Sequence, residues 1–581
     1  MGLISELRRR NVLRMAVLYA VAAWLIVQVA GVLIDLAKLP DWIGTTILWL
    51  LAIGFPIALI FSWFYEITPE GVSLEKDVDP EVSITHVTGR RLDFIVISLL
   101  CAAVIMFAYD KWWTQGPTEA SIVVLPFVNM SDGETDEYFS DGISEELLNL
   151  LARVPKLRVI SRNSAFGFKD QGLENYEIAK RLGVAHILDG SVRKSGNEVR
   201  ITVRLIDARS SAILWSNAYD RPMENIFTIQ GEIATHVVEQ LRVALLGGAP
   251  EIKYVSPEIY ALQLQALHLR NQFTPESLEK AIALYMQVLA DDPTNAAAWD
   301  GLAVVYSNQS ARGLRSFEEG YRLAREATNN ALNSDPDYAR AHGSLGWIAM
   351  FHDGDLKSAA RHFERALILD PTDLQTLAAA ATLAKNLGNV EDAIAVLEYV
   401  SLRDPVNAAT ITNLATGYLY ARRWDDAIRA YRTTLELSPE KGGTHTFTGF
   451  ALLLKGQGEA ALKETQQERL EVWRMIGVPM IYHSLGDVTE SEASLAELIS
   501  KYEHDAPYNI AYVFAFRGDS DSAFIWLEKA VQQNDPGLSE IPRNPLFANI
   551  HSDPRWLPFL ESIGKSPEQL AAIEFDMTLP E

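Results

Sequence analysis

The stretch Leu377–Pro405, LAAAATLAKNLGNVEDAIAVLEYVSLRDP, decides how this chain folds. Its Leu377, Ala380, Ala381, Ala384, Gly388, Ala393, Leu397, Val400 and Pro405 return 34 residues later as Ile411, Leu414, Ala415, Tyr418, Arg422, Ala427, Tyr431, Thr434 and Pro439. Spacings of three and four place these residues on one face of each of two helices per unit, and the small ones let the two helices approach closely. The proline stops the second helix, because the residue before it is pushed out of the helical region. The same punctuation recurs as Asp292-Pro293, Asp335-Pro336, Asp370-Pro371, Asp404-Pro405 and Ser438-Pro439, at intervals of 43, 35, 34 and 34 residues. Such units cannot bury their apolar faces alone and must stack, so a helical array is predicted over 257–536. Beyond Pro439 the period decays, although 447–461, 482–498 and 508–530 still read as helical. The final stretch, 537–581, with Pro542, Pro545, Pro554 and Pro558 among aromatic residues, reads as an irregular cap over the last apolar face.

The pattern resembles the tetratricopeptide repeat, most closely over 340–439. Arg422 stands where the turn glycine is usual, which predicts a different local turn there. The resemblance implies that the first helix of each unit lines a concave groove that grips a protein or peptide partner. The family's inward offsets nominate Asp300, Arg340, Trp347, Gln375, Thr382, Lys385, Thr412 and Thr416. Arg340 and Lys385 would pair with a partner's carboxylate. The unit before Pro336 carries nine extra residues, Ser307–Arg315, between its helices. Such insertions map to one face of an array.

At 581 residues the chain is too long for one core. A net charge of −24 argues against nucleic acid, whose phosphates need clustered Lys and Arg. The single cysteine, Cys101, excludes an internal disulfide and a cysteine-based zinc site.

The first 115 residues read as a membrane module. Runs at 15–34 and 43–65 carry no formal charge and are long enough to cross a bilayer. A third, at 94–110, is shorter and is followed by Trp112 and Trp113, which suit an interface. Arg8, Arg9, Arg10 and Arg14 place the N-terminus in the cytoplasm, and Arg90 and Arg91 place the 66–91 loop there too. Three crossings put the chain from about Thr114 outside the cytoplasm. Only about 14 residues precede the first run, too few for a DNA-binding or catalytic unit.

Residues 119–246 read as a small α/β domain. Ser121–Pro126 is an apolar, β-branched run expected of a buried strand. Ser140-Asp141 reads as the N-cap of a helix reaching Arg153, with Leu157–Ser161 a strand and Asn175–Leu182 a helix. Three strands follow at 185–194, 198–207 and 212–220, the first two joined at Ser195-Gly196-Asn197. A helix from Ile226 to Leu246 closes the domain. The segments Ser121-Ile-Val-Val-Leu-Pro-Phe, Tyr138-Phe-Ser-Asp-Gly-Ile-Ser-Glu-Glu-Leu, Gly190-Ser-Val-Arg and Leu214-Trp-Ser-Asn-Ala-Tyr-Asp resemble the TolB amino-terminal-like domain. Glu6-Leu-Arg-Arg-Arg-Asn-Val and Phe64-Tyr-Glu-Ile-Thr-Pro-Glu-Gly resemble the membrane module that often precedes it. This resemblance implies a bacterial inner-membrane protein with a repeat array, and supplies no reaction.

No phosphate-binding loop, nucleophile elbow, zinc-protease motif or cysteine pair occurs, so no catalytic, metal or cofactor site is expected. His186 reads as a satisfied core residue. The acidic loop Asp132–Glu137 fails as an EF-hand, with Glu137 where glycine is required. The sequence therefore predicts a mainly α, multi-domain chain: a three-helix transmembrane module, an α/β domain and a solenoid. It would act as an inner-membrane scaffold that binds a protein or peptide partner in the periplasm, for envelope assembly or sensing. The lipid bilayer is its second partner, nucleic acid is not one, and self-association into a homo-oligomer is left open. The alternatives are a receptor acting on a cytoplasmic partner and, more weakly, a small-ligand or enzymatic role of the α/β domain.

Overall fold

The computed structural model describes residues 120–131, 137–154, 156–169, 171–241 and 256–580, with scattered helical positions between 16 and 56 and a short hairpin. The chain divides into two compact units, Met1–Gly116 and Pro117–Glu581. In the first, the Tyr19 hydroxyl donates to the Leu51 carbonyl at 2.9 Å, and β1 (Tyr65–Thr68) pairs antiparallel with β2 (Gly71–Leu74). The three predicted membrane runs lie largely or wholly outside the described residues, among which no helix is long and apolar enough to cross a membrane. The acidic loop at 132–136 also lies outside them.

The second unit is mainly helical with a small α/β region. Its strands are β3 (Ser121–Val124), β4 (Val128–Asn129), β5 (Arg158–Val159), β6 (His186–Ser195), β7 (Glu198–Asp207) and β8 (Ile213–Pro222), in the order β5-β3-β6-β7-β8 with β4 beside β6. β3 runs parallel to β5 and β6 and is buried on both faces, as a central parallel strand must be. Ile122 and Val124 face the Glu137–Ala152 and Ile226–Gln240 helices, while Val123 and Leu125 face Asn175–Leu182. Gly196 and Asn197 make the two-residue turn between β6 and β7, with Gly196 at φ 60°. His186 is half-buried, its Nδ1 3.2 Å from the Ser121 carbonyl oxygen. One expectation fails: the helix starts at Glu137, so Ser140 and Asp141 lie inside it and do not cap it. The Asp141 carboxylate is instead spent on Lys169 at 2.7 Å and His268 at 3.3 Å.

Residues 257–532 fold as eight helix pairs, from Pro257–Gln272 with Pro275–Asp291 to Pro507–Phe516 with Ser520–Gln532. The Asp-Pro punctuation has a local cause. Asp292, Asp335 and Asp370 each donate a last helical N–H back at 2.8 Å, and each carboxylate accepts the N–H two residues on. Helix end and next turn are thus fixed by one side chain. Ser307–Arg315 is not simply a loop, since the first helix of its pair continues to Ala311. Arg422 does not change the turn as expected: it adopts the left-handed conformation of Gly388, at φ 59° against 104°. A side chain strains there, so Arg422→Gly is expected to gain about 0.5 kcal/mol, read as a raised denaturation midpoint.

Two junctions tie the α/β region to the array. Tyr260 and Leu264 of the first array helix belong to the same core as Phe139 and Ile143. Gly142 makes that approach feasible, since a Cβ there would lie 2.5 Å from Leu264 Cδ2. At the fourth pair, Ser161 and Ser164 donate their hydroxyls to Asp404, Ser164 at 2.7 Å, and the Arg158 guanidinium donates to the Leu402 carbonyl at 2.8 Å. The C-terminal cap reaches further than its predicted role as an end cover. Leu546 and Phe547 do pack on the last pair, but Ile573, Phe575 and Met577 lie against helices between 356 and 403.

Candidate functional site

The nominated groove residues fall into three groups. Asp300 is buried, 4% exposed, and its Oδ1 has no hydrogen-bond partner among the described residues. Burial holds its carboxyl above the usual range, against the opposing charges of Arg340 and Arg270. Arg340 is exposed on the inner face and forms no direct ion pair with a described residue. Although its side chain reaches solvent, the residues crowded around it would by themselves lower its pKa, but Tyr338, Asp373, Asp300 and Glu145 outweigh that and hold it a cation. Glu145 and Glu146 come from the Glu137–Ala152 helix, and burial and its neighbour raise the Glu146 carboxyl. That helix packs on the first array helix at Tyr260 and Leu264, and its carboxylates and Arg340 act on one another's charge.

Lys385 is nearly buried and donates to Glu540 Oε1 at 2.8 Å, a partner 155 residues away. Its ammonium also lies 5.2 Å from the Tyr420 ring centre. Thr382, Thr412 and Thr416 donate to carbonyls one turn back in their own helices, and Thr416 also meets the Tyr431 hydroxyl at 3.0 Å. Trp347 packs on Phe351 at 3.9 Å, and Gln375 is exposed. The structure thus brings Asp300 and Arg340 together, and joins Lys385 to the cap.

Beyond Lys385, among the C-terminal helix pairs, lies a cavity of about 410 Å³. Its aromatic wall comes from first helices of successive pairs, Tyr420, then Phe447 and Phe450, then Trp473, then Tyr508 and Tyr512, and the rest from the turn at Asp505 and from Asp535, Glu540 and Leu546 at the cap. Phe447 meets Trp473 at 5.1 Å and Phe450 at 5.6 Å, edge to face with the latter. Tyr508 and Tyr512 meet edge to face at 5.7 Å. Burial pushes the phenols of Tyr420, Tyr508 and Tyr512 up, and the charge of Glu540 adds to each. They are neutral groups at ordinary pH. The aromatic positions recur on first helices, but in the part of the sequence where the period decays, so the repeat pattern did not nominate them. Among the described residues no cluster of three or more His, Cys, Asp or Glu is placed to hold a metal ion.

Models of the tetratricopeptide repeat match residues 350–414, and also 314–373 and 412–470, so this stretch consists of tetratricopeptide repeats. The chain is 33% identical over 250 residues to "Putative adenylate cyclase 3" of Rhizobium meliloti, covering 42% of this chain and 43% of that one. It is 24% identical over 385 residues to the transcriptional regulator HilA of Salmonella typhimurium, covering 63% of this chain and 66% of that one. It thus spans less than half the length of the first relative and just under two thirds of the second. Among solved structures, PilW, described as a widely conserved type IV pilus biogenesis factor, is 16% identical and has a TM-score of 0.29, with 45% of this chain and 100% of that chain covered.

Proposed function

We propose that this chain is a membrane-anchored scaffold without catalytic activity, which binds a protein partner through the inner face of its repeat array. The observation that carries the reading is the aromatic cavity on that face, which the cap borders without filling. Stacked helix pairs present a continuous concave surface suited to extended segments or helices of other proteins. The charge-free runs at 15–34 and 43–65, with arginines before the first, support an anchor whose N-terminus is cytoplasmic. With the run at 94–110 as a third crossing, the array would lie in the periplasm, in envelope assembly or sensing. The α/β region, which resembles the TolB amino-terminal-like domain, would serve as a brace for the array.

A second reading is favoured by the relatives' names, an adenylate cyclase and a transcriptional regulator, both words for signalling proteins. The chain would then pass an event at the array to a cytoplasmic partner through the 66–91 loop. Crosslinking of the full-length protein in native membranes, with partners identified by mass spectrometry, separates the two. Partners captured by the array and unaffected by deletion of 66–91 are expected of a scaffold. Partners that depend on that loop favour the receptor, and a reporter fused after Glu581 that is active only in the cytosol removes the periplasmic placement.

A further inference from the structure

Resting on the reading of the array as a protein-binding surface, the geometry points to the cavity between Tyr420 and Leu546 as a receptor for one cationic side chain, an arginine, of a partner segment. Two properties of the lining carry this. The first is charge. Asp505, Asp535 and Glu540 line the cavity, while no lysine or arginine does. Glu540 is answered from behind by Lys385 at 2.8 Å and by the Tyr420 hydroxyl at 2.8 Å. Asp535 accepts only backbone N–H groups, those of Tyr508 at 3.2 Å and Gly537 at 2.9 Å, which leave its charge uncancelled. Asp505 is exposed and makes no ion pair with a described residue. His504 is the remaining titratable group at the wall besides the tyrosines.

The second property is the character of the surface. Trp473 and Phe447 offer partly exposed rings, and a cation over an aromatic face is attracted by the ring's quadrupole. A guanidinium is planar, stacks on such rings and is less strongly hydrated than an ammonium, so it suits an aromatic wall with carboxylates at its rim better than lysine does. A volume of about 410 Å³ lies at the low end for ligand sites, which fits one long side chain and not a folded surface. The peptide source follows from position, since the aromatic wall belongs to first helices, which line the concave face of such arrays, while Asp535 and Glu540 come from the segment entering the cap. The polarity is opposite to that expected from Arg340 and Lys385, which would select a partner's carboxylate.

The test is calorimetric titration of the full-length protein with acetyl-Gly-Arg-Gly-amide and with the same peptide carrying citrulline, which keeps the shape and removes the charge. Binding of the arginine peptide is expected, weakened about tenfold by citrulline and about tenfold by Trp473→Ala. Asp505→Asn, on an exposed side chain that the fold does not need, should weaken it about threefold. Glu391→Gln, an exposed carboxylate outside the lining, should leave it unchanged and so removes general attraction to an acidic protein as the cause. Failure of the arginine peptide to bind, equal binding of citrulline, or indifference to both lining variants overturns the assignment. The scaffold reading would survive that result if membrane crosslinking still captures a partner on the array.

Discussion

Leu264→Ala is expected to destabilise the 117–581 unit by about 3 kcal/mol, because it removes a buried side chain from a core that two parts of the chain share. Leu264 is 3% exposed and packs with Phe139, Ile143 and Ile233 although it belongs to the first array helix. Its methyl groups fill the notch left by Gly142, so truncation opens a void against a helix that cannot easily collapse into it. Scanning calorimetry gives the size of the effect. A second thermal transition in the variant would show that this core couples the α/β region to the repeats. A single unshifted transition would show that the shared core contributes little.

Replacing Glu540 with leucine should cost about 2 kcal/mol, since it strands the Lys385 ammonium, only 8% exposed, without its counter-charge. The figure sits below the range for a fully buried pair because 36% of the Glu540 side chain remains solvated. The double variant Lys385→Met with Glu540→Leu should recover most of the loss, as apolar replacements of buried pairs commonly do. Denaturant midpoints of the wild type, both single variants and the double variant measure the coupling. The same pair sets a pH dependence. Burial would raise the Glu540 pKa, but Lys385 and the hydrogen bonds from Lys385 and Tyr420 outweigh it and hold the carboxyl below its usual 4.5. A depressed folded pKa means the contribution is fully present above 4.5 and is lost as pH falls through the lower folded value. Glu540→Leu should therefore flatten the acid limb of the stability curve.

Local features were the readable ones. The period of 34 residues, the proline stops and the apolar run of β3 follow from contacts within one or two turns or between neighbouring strands. The start of the 137–152 helix was misread because Ser140-Asp141 has cap chemistry, while the actual use of Asp141 depends on His268, more than a hundred residues away. Arg422 defeated a rule of composition: the stacked neighbours fix the left-handed turn whether or not glycine supplies it. Nothing near Lys385 in sequence announces Glu540, and nothing near Arg340 announces Glu145. Those contacts arise only once the α/β region and the cap fold back on the array. The cavity is legible only afterwards, because the segment entering the cap, with Asp535 and Glu540, supplies part of its wall.

The most direct test places a photoreactive amino acid at single positions of the full-length protein in membranes, once at Gln533 on the cavity rim and once at Glu146 on the Glu137–Ala152 helix. Partner adducts from Gln533 with none from Glu146 are expected if the chain itself fills the first repeats and leaves the cavity to others. Adducts from Glu146 with none from Gln533 would contradict that assignment of the inner face.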